Sequence, residues 1–77
     1  LDFVQVVDIW RGPVLDPYVG RIVNGESRWL ALGRLDPDGG GDIDIAIVYT
    51  WRSDVRRIIS ARRMRSNERR DYAREFG

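Results

Sequence analysis

From Ile43 to Trp51 the chain alternates without a break. Ile43, Ile45, Ile47, Tyr49 and Trp51 fall on one side of an extended backbone, and Asp44, Ala46, Val48 and Thr50 on the other. Successive side chains of a β-strand point to opposite faces, so this period of two predicts a strand with one strongly apolar face. Such a strand belongs in the middle of an antiparallel sheet, and the rest of the chain must supply its neighbours and its cover.

The neighbours are legible on both sides. Between Arg28 and Leu35, Trp29, Ala31 and Gly33 alternate with Leu30, Leu32 and Arg34, so both faces carry apolar residues and a largely buried strand is predicted. Upstream, Asp16-Pro17, Gly20 and Asn24-Gly25 break the chain into short pieces. They leave room for a brief strand over Gly20 to Val23, followed by a tight hairpin turn at Asn24-Gly25. The segment Asp36 to Asp42 is a loop, Ser53-Asp54 a turn, and Val55 to Ser60 a further strand centred on Ile58 and Ile59. Helical spacing of Phe3, Val6, Val7 and Trp10 predicts a short helix over Asp2 to Trp10, ended by Gly12-Pro13. Met64 to Phe76 is rich in helix formers, and Glu68 and Tyr72, four apart, share one face of that helix. The expected class is α+β: a short N-terminal helix, a three- to four-stranded antiparallel sheet and a C-terminal helix, in one domain over residues 1–77.

A chain of 77 residues has little apolar surface to set against its conformational entropy, so marginal stability is expected. It contains no cysteine, hence neither a disulfide framework nor a thiolate zinc site, and a reducing, cytoplasmic setting fits best. No apolar run reaches the length of a membrane span, and Leu1-Asp2-Phe3-Val4 lacks the basic and apolar regions of a signal peptide. The chain begins without methionine on residues that read as helix, so a further segment upstream is expected.

Charge is sharply polarised. Arg52 to Gly77 holds nine arginines and four acids, a net of +5, while Leu1 to Trp51 holds four arginines and eight acids, a net of −4. The overall +1 therefore conceals a basic C-terminal third, and it is the local field that a polyanion meets. All thirteen basic residues are arginine. A GC-rich codon usage accounts for the missing lysine but not for clustering in one segment. Arginine offers a planar, always charged fork that grips phosphate in two places and stacks on bases.

The run Arg57-Ile58-Ile59-Ser60-Ala61-Arg62-Arg63 is followed by Glu68-Arg69 and Tyr72, and preceded by Gly25-Glu26-Ser27-Arg28, Gly33 and Val48-Tyr49-Thr50-Trp51-Arg52. In order and spacing these motifs resemble the BrnT family, the ribonuclease toxins of BrnT/BrnA toxin–antitoxin pairs, over nearly the whole chain. The resemblance implies a RelE-like fold with helices on one side of a twisted antiparallel sheet. It implies sequence-relaxed, metal-independent RNA cleavage that inhibits translation in a bacterial cytoplasm. It further implies neutralisation by a BrnA-type ribbon-helix-helix antitoxin, in a heterotetramer. Two departures stand out. Family members carry an N-terminal helical segment with lysine and histidine ahead of the position where this chain begins. They also often place threonine or serine three residues before the glutamate as a helix cap, where this chain has Arg65 and, one residue later, Ser66. Loss of such a cap costs about 1 kcal/mol.

RNA is cleaved when its 2′-hydroxyl attacks the adjacent phosphate. A protein has only to remove that proton, protonate the leaving oxygen and stabilise charge on phosphorus. Without histidine, cysteine or lysine, the proton-transfer roles fall to Glu, Asp or Tyr. Arginine stabilises the charge.

By the resemblance, Arg62, Arg57, Glu68 and Tyr72 are the catalytic candidates, with Arg52, Arg63, Arg65 and Arg69 on the RNA. Charge alone gives plainer readings. Arg62 and Arg63, leaving the strand before the helix, would be a solvated run or partners of Glu68 and Asp71. Glu68 would pair on the helix surface with Arg65, Arg69 or Arg70, and Tyr72 would be a core aromatic with its hydroxyl at the rim. Arg57 faces away from Arg56, Ile58 and Ser60 by simple alternation, so only one of the two arginines can line the open sheet face. Alternation leaves open which, and the resemblance, which matches Arg57 and Arg52, implies Arg57 and leaves Arg56 as a solvent charge. Glu26 and Arg28 point the same way and read as a pair. Trp10, Trp29 and Trp51 read as core before they read as base-stacking platforms. Asp42 and Asp44 share a strand face but read more simply as solvating its start than as cation ligands. No cofactor, metal ion or membrane enters this reading. Its rivals are a non-catalytic module that binds RNA or an antitoxin, and a basic surface that docks an acidic partner helix.

Overall fold

The structure, a computed structural model, describes residues 7–36 and 41–76. Four strands form one antiparallel sheet in sequence order: β1 (Val14–Val23), β2 (Glu26–Leu35), β3 (Ile43–Arg52) and β4 (Val55–Arg63). A 3-10 turn, Val7–Arg11, precedes the sheet and a helix, α1 (Ser66–Phe76), follows it. The α+β class and the inner position of β3 are as expected. Among the described residues no helix is long and apolar enough to cross a membrane.

Two hairpin turns set the meander. Asn24 and Gly25 take φ of 51° and 78°, and Ser53 and Asp54 take 49° and 67°. Left-handed conformation at both central residues gives a turn whose twist matches that of the flanking strands.

β1 is longer than the brief strand expected. Asp16-Pro17, which reads as a turn, lies inside it, and the pairing with β2 is irregular between Leu15 and Val19. Proline has no N–H to give a ladder, and β1 tolerates it as an edge strand with a local irregularity.

Each face of the sheet has its own cover. On one face Ile9 of the 3-10 turn packs with Ala31, Leu35, Ile45, Ile47 and Tyr49. On the other, Met64 and Tyr72 pack with Leu32 and Ala46, flanked by Leu15, Tyr18 and Leu30. The apolar alternation of β3 thus lies against the 3-10 turn, although Trp51 at its end is 48 % exposed. Gly33 permits the close approach of that turn, since a Cβ there would stand 2.6 Å from the Cβ of Ile9. Of the helix expected over Asp2 to Trp10, residues 2–6 lie outside the described residues, and the remainder forms the 3-10 turn. This turn and α1 occupy opposite faces, so the described residues depart from the one-sided arrangement that the resemblance implies.

β4 also departs from expectation. It runs to Arg63, so Arg62 and Arg63 lie within the strand, opposite Ala46 and Ile45. Val48 faces Ser60 while Tyr49 faces Ile58, which leaves Ile59 as an extra residue in a β-bulge. Ser60 consequently does not share the face of Ile58, as simple alternation would have it. Arg57, opposite Thr50, and Arg62, opposite Ala46, both come to the helix-side face. Met64 still donates its N–H to the carbonyl of Asp44, 3.0 Å away, so α1 starts at Ser66 and not at Met64.

Candidate nucleic-acid interface

An eleven-residue helix is about 16 Å long at 1.5 Å per residue, whereas a ten-residue strand extends about 33 Å. α1 can therefore cover only about half of its side of the sheet. It covers the half nearest its own start, over Leu15, Leu32 and Ala46. Towards the two hairpin turns the same face remains open. Its first row is Val19, Leu30, Val48 and Ser60, each opposite the next. Beyond that row Arg21 stands opposite Arg28 on β1 and β2, and Thr50 opposite Arg57 on β3 and β4. A cavity of about 260 Å³ sits here, with Val19, Arg21, Arg28, Leu30, Val48, Arg62 and Arg65 among its lining residues.

Arg62 is held by Glu68 through two parallel hydrogen bonds, Nη1 to Oε1 at 2.7 Å and Nη2 to Oε2 at 2.8 Å. Glu68 Oε1 also accepts the backbone N–H of Arg65 at 2.7 Å, so the glutamate performs the capping that neither Arg65 nor Ser66 was placed to guarantee. The Glu68 side chain is only 5 % exposed and that of Arg62 34 %. The Arg62 guanidinium, opposed by burial and helped by the Arg65 N–H, holds the Glu68 carboxyl below its usual range; the carboxylate in turn raises Arg62. Among the described residues the guanidiniums of Arg65, Arg69 and Arg70 do not pair with Glu68, and Arg65 reaches it only through its backbone N–H. Glu68 makes a buried link from α1 to β4.

Tyr72 is 2 % exposed and donates its hydroxyl to the carbonyl of Pro13 at 2.7 Å, and burial raises its pKa. Arg34 lies over the Tyr72 ring and pairs with Asp44 at 2.9 Å. Asp71 accepts the Tyr18 hydroxyl and lies near Arg74, not near Arg62 or Arg63.

The other predicted residues divide by face. Arg52 and Arg57 are exposed on the helix side, Arg52 within 3.8 Å of Glu26. Glu26 is thus paired with Arg52 and not with Arg28, as the sequence had suggested. Arg65 is exposed and lines the cavity, and Arg69 is exposed on α1. Arg63 is exposed but, opposite Ile45, belongs to the other face of the sheet. The structure therefore brings Arg57, Arg62 and Arg65 to one surface and leaves Arg63 off it.

Arg56 is not a free solvent charge. Its guanidinium lies 4.1 Å from the ring of Trp10, 4.8 Å from Trp51 and 5.0 Å from Tyr49, and 3.3 Å from Asp16. Asp16 also accepts the Trp10 indole N–H at 2.7 Å and the Tyr49 hydroxyl. Burial together with that bond pushes the Tyr49 pKa up to about 12. This cluster ties β1, β3, β4 and the 3-10 turn together on the face away from α1.

Arg21 and the unpaired state of Arg28 escape a reading by clusters of charge. Among the described residues neither has a carboxylate within ion-pair distance, and the Arg28 Nε–H is buried without an acceptor. The hairpin itself carries the signal: a two-residue turn at Asn24-Gly25 fixes the register that sets 21 against 28. Like charges directly opposite in a sheet are destabilising. Compared with protein-family models, curated proteins and solved structures, the chain matches none of them.

Proposed function

We propose that this chain is a ribonuclease toxin of the toxin–antitoxin kind, which holds RNA on the helix-side face of its sheet and cleaves it there. The observation that carries the reading is the facing pair Arg21 and Arg28, which lines one cavity with Arg62 and Arg65, with Arg57 exposed on the same face of the sheet. Two guanidiniums set against each other without an acid repel in the folded state, and a phosphodiester turns that repulsion into attraction. The resemblance to BrnT toxins supplies the reaction, the RelE-like fold relationship, the bacterial cytoplasm and the ribbon-helix-helix antitoxin as partner.

In this mechanism the RNA 2′-hydroxyl attacks the neighbouring phosphorus while the 5′-oxygen leaves and takes up a proton. The products are a 2′,3′-cyclic phosphate and a free 5′-hydroxyl. Arg57 and Arg62 stabilise the charge on phosphorus. A phosphate that engages Arg62 competes with Glu68, and a Glu68 oxygen released from its guanidinium regains basicity and can accept the 2′-hydroxyl proton.

A second reading rests on the same bonds. Glu68 is fully engaged by Arg62 and the Arg65 N–H, and the Tyr72 hydroxyl by Pro13, as suits a module that binds RNA or an antitoxin without cleaving. Incubation with single-stranded RNA in the presence of a chelator separates the two. The toxin reading expects fragments ending in cyclic phosphate, formed at least tenfold more slowly by Arg57→Ala, which has no ion-pair partner among the described residues to lose. RNA retained intact by a protein that binds it sinks catalysis and leaves the binding module.

A further inference from the structure

The cavity on the helix-side face holds more than phosphate contacts require. Arg21, Arg28 and Arg65 line it, but so do Val19, Leu30 and Val48. Those three are consecutive members of one cross-strand row and present a continuous apolar strip to the cavity. A site for phosphate alone gains nothing from such a strip. A nucleobase does, because it has two apolar faces to remove from water and a rim of polar atoms. About 260 Å³ is room for one base with part of its sugar.

Resting on the RNA reading above, we infer that this cavity is a subsite for one unpaired nucleotide. Its base lies on Val19, Leu30 and Val48 and its flanking phosphates on Arg21 and Arg65. In an A-form duplex the bases are stacked and paired inside the helix, so only a single-stranded segment delivers one to such a pocket. The substrate class is accordingly single-stranded RNA, selected by access to the base and not by charge.

The test uses the full chain and fluorescent eight-nucleotide strands with 2′-O-methyl groups, which lack the attacking hydroxyl and report binding alone. Three probes are compared at one low salt concentration: the intact single strand, the same strand with its central positions abasic, and the duplex. The intact strand is expected to bind at least fivefold more tightly than the abasic strand, although both carry the same phosphates, and more tightly than the duplex. Val19 lies on an edge strand and is 42 % exposed, so Val19→Ser is compatible with folding; it is expected to bring the intact strand down towards the abasic one. Equal affinity of intact and abasic strands overturns the subsite while leaving RNA binding in place. Discrimination that persists unchanged in Val19→Ser places the base elsewhere and also overturns it. Failure of every strand to bind overturns the RNA reading itself.

Discussion

Glu68 closes both the helix cap and the only carboxylate bond to Arg62 among the described residues, so its contribution can be isolated. Glu68→Gln keeps an oxygen for the Arg65 N–H and loses the charge that binds Arg62. Arg62 is one-third exposed and recovers some solvation, so the expected loss is about 1.5–3 kcal/mol, the range of a hydrogen bond to a charged group. In a domain of this size that lowers the melting temperature by roughly 6–24 °C. The folded-state pKa of Glu68 lies below its ordinary value of 4.5. A depressed carboxyl contributes stability that is fully present above the unfolded value and is lost as pH falls through the folded one. The gap between native and Glu68→Gln urea midpoints should be full at pH 6 and close progressively below about pH 4.5. A gap that does not change with pH would show that the pair contributes nothing through its charge. At this scale the sequence exposes the actors but not all their partners. Glu68 and Tyr72 were legible as one helix face because the period is local. The cage around Arg56 was not, because Trp10 and Asp16 reach it from distant segments.

Among the elements, the two hairpins have the same turn geometry and different residues, which gives a paired prediction. At the second central position β1–β2 has Gly25 at φ 78°, and β3–β4 has Asp54 at φ 67°. Left-handed backbone costs a residue bearing Cβ roughly 1 kcal/mol, less for Asp and nothing for Gly. Gly25→Ala should therefore destabilise by about 1 kcal/mol, and through the backbone alone, since a Cβ there would meet nothing within 4 Å. Asp54→Gly should stabilise by about 0.5 kcal/mol, the relief being partly offset by a more flexible unfolded chain. Denaturant midpoints of the two variants moving in the same direction would contradict the turn assignment. Turn chemistry of this kind is written in adjacent residues, as is the alternation of β3, and both were legible. The length of β1 was not, because Asp16-Pro17 is locally a turn and only its place at the sheet edge lets a strand run through it. The bulge in β4 left one trace, the adjacent Ile58 and Ile59, but which of them would be extra is decided by pairing with β3.

For the molecule as a whole, a net charge of +1 is compatible with polyanion binding only because acids and arginines are sorted by place. Asp16, Asp44, Glu26 and Glu68 lie against Arg56, Arg34, Arg52 and Arg62. Seven arginines, Arg21, Arg28, Arg57, Arg63, Arg65, Arg69 and Arg70, have no acidic partner within ion-pair distance among the described residues, and four of them, Arg21, Arg28, Arg57 and Arg65, lie on or beside the open half of one sheet face. Each phosphate neutralised on a single strand releases counterions and contributes about −0.7 to the slope of log affinity against log salt concentration. Four such contacts predict a slope of about −3, and Arg57→Ala should reduce its magnitude by about 0.7. Arg11, beside Asp8 in the 3-10 turn on the far side of the sheet, is the matched control. It is equally a removed positive charge and changes the net charge by the same amount, so Arg11→Ala separates a local field from a global one. If RNA senses the helix-side face, only Arg57→Ala flattens the salt dependence; if the two variants flatten it equally, net charge and not placement governs binding, and the arginine face loses its role.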